Sequence, residues 1–291
     1  MKYGPRVAKR IVFAIARLAM IVALGVLACA ALARYSPGFE SDEADLDSRI
    51  SDQTAAMIRS RDAGQTDFPR FLAQYSSSVL RGDLGISRVF HVPVAELLRA
   101  RAGETGALML AGIAIAWIAG LALAFAAAWQ RNPALRVSAE LIGGISLAVP
   151  PAVIAIVFFA VRAPLGLAMA LAILPRIFGT LREMLEDLWH SPAVIGARAR
   201  GIRRMDFLAR YVALPALPKA GALMGVSIVM AFGAAIPIET LCDVPGIGQL
   251  AWRAALGRDL PLLCALAMVV TFVVAFVQAV GDLLEPAREP A

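Results

Sequence analysis

Six apolar runs divide the chain, near Ile11–Leu32, Gly106–Trp129, Leu141–Val161, Leu165–Leu181, Leu223–Ile238 and Leu260–Val280. Each is long enough, or nearly so, to cross a hydrocarbon core of roughly 30 Å as a helix. The fourth is interrupted by Pro175 and Arg176, a pair that lipid tolerates only against protein or at an interface. The first is too long for the apolar segment of a cleavable signal and is followed by further spans, so it reads as an uncleaved helix. The pattern predicts an all-α integral membrane fold. Residues 1–33 form the N-terminus and first span, 34–104 a long external segment, and 105–291 a five-helix core with a polar loop at 182–219.

The two polar segments carry helical patterns of their own. In the first, an acidic stretch (Glu40, Asp42, Glu43, Asp45, Asp47) precedes Leu46, Ile50, Met57 and Ile58 at amphipathic spacing. Phe68, Phe71, Leu72, Tyr75, Val79 and Leu80 form a clearer face. A turn-rich piece, Arg81–Ser87, then leads to a short helix from Pro93 to Ala102. A packed cap and a partner-docking surface are both compatible with this segment. In the second, Ser191-Pro192 reads as an N-cap with a first-turn proline, Ala193–Arg200 as a short helix, and Gly201 as its stop. A further amphipathic piece, Met205–Ala213, ends at Leu214-Pro215. A connection between two spans needs far fewer residues, so this loop is expected to stand outside the membrane as a docking surface.

Composition agrees with a polytopic chain. Of 291 residues 59% are hydrophobic and 17% charged, against about 25% charged in soluble domains, and the mean hydropathy is +0.72. The net charge of +6 is mainly topological. Lys2, Arg6, Lys9 and Arg10 precede the first span, Arg131 and Arg136 follow the second, and Arg182, Arg198, Arg200, Arg203, Arg204, Arg210 and Lys219 lie between the fourth and fifth. The third–fourth connection holds only Arg162. Positive-inside bias then places the N-terminus, the 182–219 loop and, by the even span count, the C-terminus in the cytoplasm, and it explains the charge better than nucleic-acid binding.

Cys29, Cys242 and Cys264 suggest no disulfide and no metal site. His91 and His190 lie outside the spans without a second histidine at ligand spacing, which argues against a histidine-based metal or acid–base centre. The only lysines are Lys2, Lys9 and Lys219, and no Gly-x-x-x-x-Gly-Lys-Ser/Thr stretch occurs, so no phosphate loop of that kind can form.

The loop sequence Ala197-Arg198-Ala199-Arg200-Gly201-Ile202, with Leu214-Pro215 after it, resembles the cytoplasmic signature loop of importer permeases. Phe71-Leu72-Ala73-Gln74-Tyr75, Arg81-Gly82-Asp83-Leu84-Gly85-Ile86-Ser87, Pro93-Val94 and Glu96-Leu97-Leu98 are similar to the external segment of the dipeptide/oligopeptide/nickel-type ABC transporter permeases. Glu239-Thr240-Leu241, Pro245-Gly246-Ile247-Gly248 and Arg258-Asp259-Leu260-Pro261 match that family's later external loop. Val149-Pro150-Pro151 and Met184–Leu188 are smaller echoes. The chain departs from the pattern where Ile195-Gly196-Ala197 stands for Glu-Ala-Ala, where Ala102-Gly103 stands for Leu-Pro, and in a first external loop that, though long, is short for that family.

The resemblance implies the six-span fold of a type I ABC importer permease in a bacterial inner membrane. It implies a non-catalytic subunit paired with a second homologous permease, two ABC ATPase subunits holding ATP and Mg, and an extracytoplasmic solute-binding protein. It implies a peptide-like or metal-chelate cargo and no cofactor or metal on this chain. The alternative is a secondary transporter or other polytopic membrane protein without an ATPase partner; a secondary transporter would call for ion-coupling acids at span centres that are nearly free of them.

Within that framework the Ala193–Gly201 helix is expected to seat in the ATPase, with Ala197, Arg198, Ala199, Arg200 and Gly201 as its docking residues. Pro150 and Pro151 should kink the third span, either lining the pathway or only packing. Gly82, Asp83, Gly85, Glu239, Pro245, Gly246 and Gly248 are the external motif residues. Gly221 and Gly225 suggest a close helix contact. Glu140 and Glu239, at span ends, are expected to be solvated at the interface. Arg17 can snorkel, and Trp129 and Trp189 suit an aromatic belt.

Overall fold

The computed structural model describes residues 16–28, 31, 77–79, 81–129, 148–202 and 204–284. In chain order they form α1 (Ala16–Ala28), α2 (Val94–Trp129), α3 (Pro151–Ala160), α4 (Leu165–Trp189), α5 (Pro192–Ala199), α6 (Arg204–Phe207), a π-helical turn (Leu208–Ala213), α7 (Leu214–Leu241), α8 (Ile247–Leu256) and α9 (Leu260–Leu284). Among the described residues the fold is all-helical apart from one isolated antiparallel bridge, Ile86 with Pro93. The expected Phe71–Tyr75 motif, the amphipathic faces before it, Arg131, Arg136, Glu140, Cys29 and the charged termini lie outside the described residues.

Among the described residues, four helices are long and apolar enough to cross a membrane: Val94–Ala127, Leu165–Trp189, Arg210–Leu241 and Leu260–Val280. α1 and α3 are shorter apolar helices, and the remainders of the first and third predicted spans fall largely outside the described residues. Some expectations change. The short helix predicted at Pro93–Ala102 runs into the second span without a break as α2. The fourth span continues unbroken through Pro175, which is buried, because neighbouring helices enclose the backbone that the proline leaves unpaired.

At Pro150 and Pro151 the chain leaves helix and re-enters it: Ala148 is helical, and a break at Pro150 separates it from α3. Pro150 is extended, with φ −60° and ψ 139°, and Pro151 opens α3. A residue before proline is pushed out of the helical region, whereas a first-turn proline loses no hydrogen bond.

The chain divides into two compact units. One draws on residues 102–249 with the tract from Val273 onward, the other on 19–101 with 250–272. In the first, α3, α4 and α7 pack on one another. On α2, Gly112, Ala116, Gly120 and Ala124 are all buried, four residues apart on one helix face. A Cβ at Gly112 would overlap the Met169 side chain of α4, and one at Gly120 would sit 3.0 Å from Ile177. Small residues at this spacing let two backbones approach closely. Beside them, Trp117 Nε1 donates to Ser227 Oγ at 3.2 Å, and that buried hydroxyl donates to Leu223 O at 2.8 Å. Of the predicted glycine pair, Gly225 faces Val277 at ordinary contact distance.

The piece predicted to end at Leu214-Pro215 continues instead. α6, the π turn and α7 follow one another directly. Pro215 has no N–H for the Tyr211 carbonyl, and a widened turn just before it absorbs the mismatch.

Candidate functional site

The polar loop begins as α4 ends. Ser191 Oγ donates to Leu188 O at 2.7 Å and accepts from Val194 N at 3.4 Å, capping α5. Val194 and Ala197, three residues apart, are fully buried in a core with Leu181, Leu185, Phe207 and Val212. Phe207 is held in place by an edge contact with Trp189 and a stacked contact with Tyr211, each with ring centroids 6.3 Å apart. The helix stops on Gly201 at φ +62°, with Ile202 N donating back to Ala197 O at 3.4 Å. That is a left-handed glycine cap closed by the residue after it.

With one face of α5 fixed to its own chain, the other is free. Pro192, Ala193, Ile195, Ala199 and Arg200 are exposed. Ile195, at 58% exposure, is the large apolar group on that face. Arg200 Nε donates to Gly196 O at 3.1 Å and its terminal nitrogen to Tyr211 Oη at 3.5 Å. So the predicted docking residues separate: Ala199, Arg200 and Gly201 lie at the surface, whereas Ala197 faces inward. The side chain of Arg198 lies outside the described residues.

The motifs expected to be external converge in two carboxylate-centred clasps. In the unit containing residues 102–249, Glu239 is fully buried rather than solvated as expected, as are Thr105 and the start of α8. Its Oε1 accepts from Thr105 Oγ1 at 2.7 Å, and its Oε2 accepts from Gly248 N at 2.6 Å and Gln249 N at 3.1 Å. Thr105 Oγ1 accepts from Ile247 N at 2.7 Å. Three otherwise unpaired N–H groups in the first turn of α8 are thereby satisfied. A Cβ at Gly246 would collide with the Glu239 carboxylate, and one at Gly248 with the backbone of Ala235 and Ile236. Glu239, Gly246 and Gly248 form one contact, and Pro245 lies exposed beside it. Cys242, adjoining it, is buried with Sγ 3.7 Å from Ala155 O, and burial pushes its thiol pKa up.

The second clasp lies in the other unit. Asp83 Oδ1 accepts from Gly85 N at 2.8 Å, between Gly82 and Gly85 at φ +83° and +81°. This turn brings Ser87 Oγ within 2.5 Å of Asp259 Oδ2, which also accepts from Val89 N at 3.1 Å. Asp259 Oδ1 accepts from Leu262 N at 3.2 Å, capping α9. Both Ser87 and Asp259 are buried.

Sequence reasoning grouped these stretches as motifs without pairing them. Asp259 before Leu260-Pro261 is a readable N-cap signal, whereas Thr105 carries no local signal. We expect Asp259→Ala to loosen the 81–94 segment by about 2–3 kcal/mol through the loss of a cap and two buried acceptor contacts. Limited proteolysis of the purified subunit should cut that segment earlier, with Asp259→Asn intermediate. Unchanged cleavage would contradict the clasp.

Residues 107–290 match the family described as the binding-protein-dependent transport system inner membrane component. The chain belongs to this family. A Brucella suis biovar 1 (strain 1330) protein carrying a peptide permease name is 27% identical over 305 residues, covering 94% of this chain and 95% of the relative. A Sinorhizobium fredii (strain NBRC 101917 / NGR234) protein named as a peptide ABC transporter permease is 26% identical over 318 residues, covering 99% and 98%. The nickel import system permease protein NikB of Staphylococcus aureus (strain MRSA252) is 28% identical over 124 residues, covering 43% of this chain and 38% of that one. This chain is therefore a membrane permease component of the importer type, with apolar helices that fit that role.

Proposed function

We propose that this chain is the non-catalytic permease subunit of an ATP-driven importer in the cytoplasmic membrane. It forms half of the pathway for a peptide-like or metal-chelate solute. A second homologous permease completes the pathway, an extracytoplasmic binding protein delivers the solute, and two ABC ATPases hold the ATP and Mg. With the Lys- and Arg-rich tracts on the cytoplasmic side, α5 and both termini face the ATPases.

The observation that carries this reading is the two-faced α5. Its inner face is locked into the chain by Val194 and Ala197, so a push on its outer face is transmitted to α4 and α7 rather than absorbed by a loose loop. The outer face offers Ile195, small alanines and Arg200 where the family pattern would have an acid. Apolar contact centred on Ile195 therefore takes a larger share of the docking.

Ile195→Asp is expected to lower co-purification of the ATPase and ATP-dependent uptake by roughly ten-fold or more, as loss of a central interface anchor does, with the amount of subunit in the membrane unchanged. Uptake that persists on ATP depletion and collapses with a protonophore would refute the reading in favour of a secondary transporter.

A further inference from the structure

One intramembrane charge is used by neither the docking face nor the clasps. Arg176 of α4 is exposed, while Pro175 and Ile177 on either side are buried. It lies about 16 Å along the helix from Leu165 and about 20 Å from Trp189. Among the described residues it forms no hydrogen bond and no ion pair. Helical side chains lean toward the helix N-terminus, so the guanidinium is carried away from the polar Trp189 end. The opposite end is beyond the reach of a snorkelling arginine. A guanidinium cannot discharge itself by losing a proton, so lipid is the wrong medium for this face.

Arg176 also heads a stripe. At about 100° per residue, Thr180, Glu183 and Asp187 fall within about 40° of it around the axis. Thr180 is half-buried and the two acids are exposed. Ile177, Leu181 and Met184 turn a different side of the same helix into the core. α4 thus presents a polar track from mid-span to its C-terminal end, a surface suited to water.

The geometry points to Arg176 as a binding residue in a water-lined solute pathway, where it holds the carboxylate of the passing solute. The planar guanidinium fork fits a carboxylate in two-point contact. The centres of the other described spans of this chain supply no acid to neutralise it, since the buried carboxylate of Glu239 is occupied by its three donors. A free peptide brings such a carboxylate at its C-terminus. This assignment rests on the importer reading above.

The test uses the complete transporter in membrane vesicles and has two arms. In the first, Arg176→Cys is exposed to a membrane-impermeant anionic thiol reagent, with the parent protein as background. Labelling well above the parent is expected, and labelling no greater than the parent, as for a lipid-facing or sealed position, would overturn the pathway placement. In the second, uptake of tri-alanine is compared with uptake of tri-alaninamide. Arg176→Gln should reduce tri-alanine uptake about ten-fold and tri-alaninamide uptake less than about two-fold, the pattern of a lost specific contact, with Arg176→Lys between. Equal losses for both peptides, or none, would overturn the carboxylate role. Wild-type vesicles that take up neither peptide would overturn it together with the peptide cargo. Wild-type uptake that ignores ATP would refute the importer reading alone, because labelling at position 176 does not depend on the energy source.

Discussion

Glu239→Ala is expected to cut the amount of folded subunit in the membrane about ten-fold, with a matching fall in thermal stability of the purified protein. The carboxylate is fully buried and accepts from the Thr105 hydroxyl and from two backbone N–H groups of α8. Alanine leaves all three donors without a partner, at a cost of about 1–3 kcal/mol each where water cannot follow. Even with partial rehydration of the vacated space, a loss of about 3–5 kcal/mol is a large share of the roughly 5–15 kcal/mol that holds a typical domain together. Glu239→Gln should be milder, because its amide oxygen can still serve the α8 turn while its NH2 faces the Thr105 oxygen. Membrane levels measured by a tag and melting by dye-reported unfolding separate the outcomes. A Glu239→Ala subunit with wild-type level and melting temperature would mean that the clasp contributes little to folding.

That residue also shows where the sequence stopped informing. Its place at the end of an apolar run suggests a group solvated at the membrane interface, and periodicity along one helix cannot reveal a helix start nine residues later folding back over it. Gly246 and Gly248 were visible as motif glycines, but the reason for them, a carboxylate and a backbone pressed where a Cβ would be, is a property of the packed fold. Elements defined by local chemistry were readable. The Ser191-Pro192 start and Gly201 stop of α5 appear within one residue of expectation, and Leu260–Val280 matches the predicted sixth run.

Misreadings arose where tertiary contact overrode a local signal. Pro175 interrupts the apolar run of the sequence, yet it lies buried inside an unbroken helix. The Gly112–Ala124 row has four-residue spacing, but in an alanine-rich run that spacing is not distinctive; the close approach of Met169 and Ile177 is what marks it. In the 182–219 loop the composition points to small residues for close approach. Only packing shows that Ala197 serves the chain's own core and that Ile195 occupies the outer face.

The Gly201 position separates coupling from folding more cleanly. Its φ of +62° is forced by the turn that follows α5, and a Cβ there would meet nothing within 4 Å. Space is therefore not the constraint. A side chain at this φ costs roughly 1–2 kcal/mol through contact with its own backbone, and a β-branched one is the least tolerated. The cheapest relief is to open the contact from Ile202 N to Ala197 O, which tilts or frays the last turn of α5 and moves Ala199 and Arg200. The turn itself lies outside the four long apolar helices among the described residues. Gly201→Val is therefore expected to leave the membrane level within about two-fold of wild type, as its small local strain implies, while uptake falls to the order of a tenth or less. Gly201→Asn, which accepts the left-handed conformation more readily, should retain more of both ATPase association and uptake. If Gly201→Val keeps the ATPase bound and transports at the wild-type rate, the orientation of α5 does not carry the coupling, and contact with the ATPase must be sought elsewhere on the 182–219 loop.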